Sequence, residues 1–391
     1  MRAINDGSAL RLLLEHGRLS RTELGALTGL SKPTASQTLT RLERAGLVLS
    51  VGVSNLGTPG RGAELYEINP CAGYAVGFDV ETGVIRAAAA DLSGRMMAQV
   101  RVAAKPGERD AVAHVTRAYE ELLAASGLTR EQVGSVVVGV QAGYDSGAGA
   151  LRHAKHLPGW QGGDIRDRLG AALGTRVEIE NDVNLVALAE HADGAAVGTM
   201  TSVLLWSGRG IGAAVIIDGR LHRGATGSAG EVGYIPVPDQ PLRTPSGRRD
   251  TGGFDRSCNA SAIRDLGRSF GLRGTDAVRM VQSALAGGSA AEEFLDALAA
   301  RYATGLIAIV AVIDPEVVIL AGPILQAGGE PLRARVAHQV AEAGTRPVPT
   351  KLGLIVDEPV LTGSCRVALS ALRDAIFANP VAAAIPSPPS R

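Results

Sequence analysis

A central stretch, residues 177–234, constrains the fold of this chain more than any other part of it. It contains an apolar β-rich run that ends in Asn181-Asp182, then an alanine-rich helical pattern, then two apolar strands joined by a glycine turn. Open α/β sheets present ligand-binding groups at the carboxyl ends of their strands, which is where Asn181 and Asp182 stand. Asn181 can donate and accept hydrogen bonds while Asp182 only accepts. The stretch therefore predicts an α/β fold with a site for a ligand rich in hydroxyl groups.

The order of these motifs, with Gly230-Glu231-Val232-Gly233-Tyr234 at the end, resembles the ROK family of sugar kinases and sugar-responsive repressors. The resemblance implies a two-lobed actin-like ATPase (ribonuclease H-like) fold. In that family an Asn-Asp pair and a Gly-Glu-x-Gly-His segment hold the sugar, and the Asp is the base in the kinases. Asn181, Asp182 and Glu231 match, while Tyr234 stands where the family has His. A purely structural Asp182, paired with Asn181, is the alternative interpretation.

The first 70 residues show the start and stop signals of short helices. Leucines at helical spacing over 9–15 predict one helix, and the capping box Ser20-Arg21-Thr22-Glu23 predicts a second, with Leu24 and Leu27 buried. Ser31 as cap and Pro33 in the first turn predict a third helix over 34–45, closed by Gly46. Two helices joined by a tight glycine turn, the second one polar on its exposed face, are typical of a helix-turn-helix.

The third helix is the predicted DNA reader, and the strands predicted at 47–51 and 64–68 form a wing. The polar side chains of the third helix suit phosphates and base edges. Arg61, which lies between two glycines of the wing, suits a minor groove. The candidate DNA-binding residues are Ser31, Lys32, Thr34, Ser36, Gln37, Arg41 and Arg61, with Thr38 also expected to be exposed. A small helical cap with a solvated polar helix and an ordinary hairpin is the alternative. Within the ROK resemblance, the repressor branch carries this winged domain and the kinase branch does not.

Three positions depart from the nucleotide contacts that the resemblance implies. The family's Asp-x-Gly-Gly-Thr turn is Asp79-Val80-Glu81-Thr82-Gly83 here, which puts a carboxylate where a polyanion would lie. Its Gly-Thr-Gly-Ile-Gly loop carries Arg209 in place of Thr, and Pro323 replaces a glycine of the adenosine-holding turn. We therefore predict no nucleotide cofactor and no enzyme activity, although a glycine loop alone discriminates poorly.

The resemblance also implies further site residues. Gly143 matches a glycine that approaches the sugar, and Asp255 stands in for a sugar-contacting Glu. The family's zinc-binding Cys and His residues have no counterpart between Tyr234 and Asp255, so we predict no metal. Three arginines of the intervening loop, Arg243, Arg248 and Arg249, are candidates for an acidic effector such as a sugar phosphate or, alternatively, are solvated.

Composition limits the protein class. A formal net charge of zero over 391 residues argues against a nonspecific nucleic-acid coat but not against one small DNA-binding domain. No apolar run approaches the roughly 20 uncharged residues that a membrane span requires, so we expect a cytoplasmic protein. The three cysteines, Cys71, Cys258 and Cys365, form no metal or disulfide pattern and are expected to be packed, reduced thiols.

These features predict a winged helix-turn-helix domain at 1–70, a ROK body at 71–377 with lobes of about 72–180 and 181–377, and a disordered tail at 378–391. The expected function is a transcriptional regulator, dimeric or tetrameric, whose binding to double-stranded operator DNA is controlled by a sugar or sugar phosphate. One alternative is an ATP-dependent sugar kinase with a fused DNA-binding domain, with Asp182 as the base. Another is a regulator that senses no sugar and responds to a protein partner.

Overall fold

The computed structural model describes residues 2–53, 62–145, 147–152, 154, 157–238, 240, 252–343 and 347–380. Its helices and strands follow one another in this order: α1 (Arg2–His16), β1 (Leu19–Ser20), α2 (Arg21–Thr28), α3 (Lys32–Arg44), β2 (Val48–Val53), β3 (Glu64–Ile68), β4 (Tyr74–Glu81), β5 (Val84–Asp91), β6 (Met96–Ala103), α4 (Ala111–Ser126), β7 (Val133–Val140), β8 (Gly143–Asp145), β9 (Ala150–Arg152), α5 (Ile165–Leu173), β10 (Val177–Asn181), α6 (Asp182–Asp193), β11 (Ser202–Ser207), β12 (Ile211–Ile217), β13 (Arg220–Leu221), α7 (Gly253–Cys258), α8 (Ala260–Ser269), α9 (Ala277–Ala284), α10 (Ser289–Ile313), β14 (Val317–Ala321), α11 (Pro323–Glu342), β15 (Thr350–Leu352) and α12 (Pro359–Ala378).

The chain divides into two compact units. The first contains residues 1–141, 149–180 and 363–391, and the second contains 142–148 and 181–362. The predicted tail over 378–391 lies almost wholly outside the described residues.

A three-helix and three-strand domain begins the first unit. The predicted capping box is present: the Ser20 hydroxyl accepts from the Glu23 amide and the Glu23 carboxylate accepts from the Ser20 amide, at 3.2 and 2.8 Å. Strand β3 lies between β1 and β2, so the hairpin closes over α1 to α3. Two sequence predictions are wrong here. Leu27, which was predicted to be buried, is 49% exposed, and Thr38, which was predicted to be exposed, is only 1% exposed. Thr38 lies on the buried face of α3, together with Leu39 and Leu42.

The rest of the first unit is built on a five-stranded sheet of order β10-β7-β4-β5-β6. The hairpin β4–β5 pairs in register from Tyr74 with Asp91 to Glu81 with Val84. The alanine-rich strand β5 is buried, since a row of small side chains allows close packing. Strand β6 was not predicted, because its side chains are mostly exposed and lack a clear apolar alternation.

The second unit is built on a sheet of order β13-β12-β11-β14-β15, in which β14 is parallel to both of its neighbours. Helix α10 is the one described helix that is long and apolar enough to cross a membrane. It lies instead in the core of this unit, where Phe294, Leu298 and Tyr302 are fully buried. Helix α11 begins at Pro323 and is interrupted at Gly329, whose φ of 56° is non-helical.

Candidate functional site

Asn181 and Asp182 stand at the junction of β10 and α6, as the pattern predicted. The Asn181 side-chain oxygen caps α6 by accepting from the amides of Val183 and Asn184 at 2.9 and 3.2 Å. The Asn181 Nδ2 donates to the Ala142 carbonyl at 3.5 Å. Asp182 is 8% exposed, and its Oδ1 accepts from the Val183 amide at 2.9 Å. The partial positive charge at the helix start stabilises this carboxylate, so the pair offers an oriented amide and a carboxylate side by side.

Glycine contacts join the Ala142 segment to the loop that precedes Glu231. A Cβ on Gly143 would lie 2.9 Å from the Gly227 carbonyl oxygen. Gly227 has a φ of +72°, and a Cβ there would lie 2.2 Å from the Tyr144 carbonyl oxygen. Both glycines are therefore required for this close backbone approach. Gly143 thus occupies a packed position next to the residue that Asn181 contacts.

Strand β12 holds the Glu231 segment in place. The Ala213 amide donates to the Gly230 carbonyl at 3.0 Å, and Gly230, with a φ of +91°, has no room for a side chain beside the Ala213 carbonyl. Glu231 then enters a short turn, in which its carbonyl accepts from the Tyr234 amide at 3.2 Å. Tyr234 is 44% exposed. The position taken by His in the family is therefore a large, half-exposed phenol.

Asp255, in α7, packs against the same turn. A Cβ on Gly233 would lie 3.2 Å from the Asp255 Cβ. The Asp255 Oδ1 accepts from the Ile211 amide at 3.2 Å, and its Oδ2 accepts from the Asn259 Nδ2 at 3.4 Å. The contact with Ile211 could not be predicted from a local pattern, because the two residues are far apart in the chain. Asp255 therefore ties the glycine loop 208–212 to the Glu231–Tyr234 turn.

All six predicted effector residues belong to the second unit and are linked by these contacts. They are Gly143, Asn181, Asp182, Glu231, Tyr234 and Asp255. Three carboxylates, one amide and one phenol provide more acceptors than donors, which suits a polyhydroxylated ligand better than an anion. The arginines suggested for an acidic effector, Arg243, Arg248 and Arg249, lie outside the described residues.

The β4–β5 hairpin places the side chain of Arg86 beside the turn that corresponds to the one that holds nucleotide in the ROK kinases. The Arg86 guanidinium donates to Asp79 at 2.7 Å and to Glu81 at 2.8 Å. The hydrogen bond from Arg86 to Glu81 is the main cause that raises the pKa of Arg86. Sequence reasoning noted Glu81 and missed Arg86, whose place opposite Asp79 follows from the strand register. The two carboxylates of this turn therefore share one guanidinium.

The glycine loop between β11 and β12 is closed on one side by Pro323. A Cβ on Gly208 would lie 3.6 Å from the Pro323 Cδ. Gly322, with a φ of +93°, would bring a Cβ to 2.5 Å from the Ser207 carbonyl oxygen. The Ser207 hydroxyl is hydrogen-bonded to the buried Tyr302 phenol at 2.6 Å. Arg209, which replaces the family's Thr, is exposed.

The candidate DNA-binding residues divide into exposed and internally bonded groups. Lys32 and Gln37 are exposed, while Thr34 and Ser36 are half-buried. The Ser31 hydroxyl, which caps α3, is also hydrogen-bonded to the Thr34 hydroxyl at 2.8 Å. Arg61 lies outside the described residues.

Arg41 has a partner inside the domain that the sequence did not indicate. Its Nε donates to Asp6 of α1 at 2.8 Å, and its second nitrogen donates to the same carboxylate and to the Thr38 hydroxyl, the latter at 3.3 Å. Asp6 is 2% exposed. The pKa of Arg41 is raised, chiefly by its hydrogen bonds to Asp6. The pair therefore stabilises the packing of α3 on α1.

Within the described ranges, no group of three or more His, Cys, Asp or Glu side chains is arranged to hold a metal ion. Cys258 and Cys365 are buried, and burial raises the pKa of the Cys365 thiol to about 12. Cys71 is exposed, so the expectation that all three thiols are packed is wrong for this residue.

Comparison with known proteins identifies two families along the chain. Residues 75–358 match the ROK family, and residues 5–52 match the MarR family. A putative xylose repressor from Caldicellulosiruptor sp. (strain Rt8B.4) is 25% identical over 336 residues, which are 82% of this chain and 83% of the relative.

Two crystal structures share the fold. One is a ROK family transcriptional regulator described as a homolog of the E. coli MLC protein, with a TM-score of 0.78 and 20% identity over 97% of this chain and 98% of that one. The other is a ROK hexokinase from Thermus thermophilus, with a TM-score of 0.64 and 28% identity over 77% of this chain and 99% of the hexokinase. These matches confirm the predicted fold class.

Proposed function

We propose that this chain, which belongs to the ROK family, is a sugar-responsive transcriptional repressor that acts in the cytoplasm. The observation that carries the proposal is the combination, in one chain, of a capped helix-turn-helix with a hairpin and a ROK body of the predicted fold. The relatives support the same interpretation, since a putative xylose repressor aligns with 82% of the chain.

The DNA-binding surface would be α3 and the hairpin behind it. Lys32 and Gln37 are exposed at the start of α3, where helix-turn-helix proteins contact the major groove. One such small domain with few cations binds DNA weakly, so we propose that two copies, in a homodimer or homotetramer, bind two half-sites.

The effector would be a sugar or sugar derivative held by Asn181, Asp182 and Glu231. The carboxylates of Asp182 and Glu231 would accept hydrogen bonds from sugar hydroxyls, and the Asn181 amide would donate one. The ligand must bind one conformation of the repressor better than another, so that its binding changes the relative position of the two DNA-binding domains. Half-site spacing would then no longer fit.

Kinase activity is the second candidate, favoured by Asp182 and by the 28% identity with the Thermus thermophilus hexokinase. The Arg86 pairs with Asp79 and Glu81, and the Pro323 ring beside Gly208, argue against nucleotide binding. We propose that Asp182 accepts a hydrogen bond from the sugar without transferring a phosphoryl group.

Thermal melting of the intact protein against a panel of sugars and sugar phosphates that includes D-xylose, each with and without Mg-ATP, tests the proposal. We expect one sugar to raise the melting temperature, ATP to add nothing, and no ADP to form, because a ligand that binds only the folded state stabilises it. ADP production that is lost in Asp182→Asn would instead establish the kinase. No shift with any sugar would favour a regulator that responds to a protein partner.

A further inference from the structure

Helix α12 has two points of contact that lead to the DNA-binding part of the chain: the first is with α1 itself, and the second is with Leu92 of the ROK body. It starts at Pro359, within the second unit, and from Gly363 onward it belongs to the first unit. Both points lie in its C-terminal half, so they are contacts within the first unit.

The first point is a backbone contact with α1. A Cβ on Gly7 would lie 2.4 Å from the Phe377 carbonyl oxygen, near the end of α12. Gly7 is in the interior of α1, where glycine costs about 1 kcal/mol relative to alanine. Its place there is explained by the close approach of α12, which leaves no room for a methyl group.

The second point is a chain of hydrogen bonds to the segment after the hairpin. The Arg373 guanidinium donates twice to the Leu92 carbonyl, at 2.9 and 3.1 Å. The Leu92 amide donates to the Pro70 carbonyl at 3.1 Å. The Asn69 side chain, next to Pro70, donates to the Gly46 carbonyl at 2.6 Å. These hydrogen bonds therefore connect α12 with the residues that follow the DNA-reading helix.

Both points lead to α3. Asp6, the neighbour of Gly7, pairs with Arg41 of α3, and Gly46 follows the C-terminus of the same helix. We propose that the C-terminal half of α12 is a strut that fixes the orientation of the DNA-reading helix, with Gly7 and Arg373 as its positioning residues. This proposal rests on the proposed function and adds to it the element that sets the spacing between two half-sites.

The test uses the duplex that the intact wild-type chain selects from a random-sequence DNA pool. Two derivatives are made: one with five base pairs, about half a helical turn, inserted between the half-sites, and one with a single half-site. Affinities are measured for the wild type, Gly7→Ala and Arg373→Ala. Ser8→Ala is the control for α1, because it improves helix propensity beside Gly7 without adding a side chain against Phe377. Arg373→Lys is the conservative variant, because lysine can still donate to the Leu92 carbonyl.

The insertion is expected to weaken wild-type binding by at least about tenfold, since a rigidly held pair of domains fits only one spacing. In Gly7→Ala and Arg373→Ala the same insertion should cost no more than about threefold, with single half-site affinity within about twofold of wild type. Ser8→Ala and Arg373→Lys should behave as wild type. If Gly7 and Arg373 only stabilised the fold, their substitution would also weaken binding to the single half-site, instead of changing the spacing preference alone.

Three results would overturn this proposal. The Gly7→Ala and Arg373→Ala variants could keep the wild-type spacing preference, they could lose single half-site binding as much as binding to the full duplex, or the selected site could lack a repeat. Failure of the wild type to select any DNA would instead refute the proposed function, so the two failures are distinguishable.

Discussion

Asn181 combines two functions in one side chain. Its oxygen caps α6, and its nitrogen is directed to Ala142, beside Gly143. Asp182, next in the chain, is held by the amide of Val183. The stability of α6 and the shape of the candidate sugar site therefore depend on the same residue, and substitutions can separate them.

Asn181→Asp and Asn181→Ala make this separation. Aspartate caps a helix as well as asparagine and suits its N-terminus, so Asn181→Asp should retain stability but lose the sugar-dependent rise in melting temperature. Asn181→Ala should lose that rise and also about 1 kcal/mol of unfolding free energy. Denaturant titration with and without the sugar found in the melting panel measures both quantities. Retention of the full sugar effect in both variants would remove Asn181 from the site.

Lys32 and Arg41 were predicted together as DNA contacts, but among the residues that the structure describes an internal partner is found for Arg41 and not for Lys32. We expect Lys32→Ala to reduce the slope of log affinity against log salt concentration by about 1, as the loss of a phosphate contact does. Arg41→Ala should weaken DNA binding and destabilise the domain, because it leaves the buried Asp6 unpaired, yet leave the salt slope unchanged. Binding isotherms at several salt concentrations check this. An equal drop in slope for both variants would make Arg41 a phosphate contact.

The types of the candidate site residues could be predicted from the sequence, but their internal partners could not. Asn181, Asp182 and Glu231 follow a local pattern that is legible in the chain. The contacts of Asp255 with Ile211 and of Arg41 with Asp6 join residues 44 and 35 positions apart. Such pairs depend on how elements pack, which hydrophobic periodicity and capping signals do not specify.

At the level of elements, strong local signals were sufficient and weak ones were not. The capping box of α2 and the Ser31 cap of α3 were predicted at the residues that form them. Strand β6 was missed because the consecutive apolar residues Met96 and Met97 are both exposed, so that apolar and polar residues do not alternate along it. Helix α11 consists of two helical segments that meet at Gly329, whose backbone is non-helical, and Pro331 lies in the first turn of the second segment.

Glu108 anchors the connection between β6 and α4. Its carboxylate accepts from Arg117 at 2.7 and 2.9 Å and from the Lys105 amide at 2.8 Å. The Arg117 hydrogen bonds are the main cause that lowers the pKa of Glu108, from an ordinary 4.5 to about 2. Because the folded-state pKa is the lower one, this stabilisation is present above the ordinary pKa and is lost as the pH falls toward the folded one.

We therefore expect Arg117→Ala to reduce the free energy of unfolding by about 1 to 2 kcal/mol near pH 6, after allowance for solvent screening. The difference from wild type should shrink steadily below the ordinary pKa of Glu108. Urea titrations across this range measure it, with Arg101→Ala on β6 as an exposed control. A difference that is constant with pH would mean that Arg117 stabilises α4 by packing alone.

At the level of the whole molecule, the candidate sugar residues and the candidate DNA-binding residues belong to different compact units. The predicted lobes, 72–180 and 181–377, follow the order of the chain, whereas the first compact unit also includes residues from 363 onward. A sequence pattern cannot show that a C-terminal helix returns to the N-terminal unit, because no local signal records which surface a helix packs on. Helix α12, which belongs partly to each unit, is one of the covalent connections between them, together with the crossings at 141/142, 148/149 and 180/181.

The most direct test of this account is the affinity of the intact chain for its selected duplex, measured by fluorescence anisotropy with and without each sugar that shifts the melting temperature. Sequence-specific binding is expected, with an affinity that one sugar changes by between about 5-fold and 150-fold, the usual range of coupling between two sites. Asp182→Asn should bind the same duplex with wild-type affinity and show no response to that sugar. DNA binding that no sugar alters, or no sequence-specific binding at all, would contradict the account.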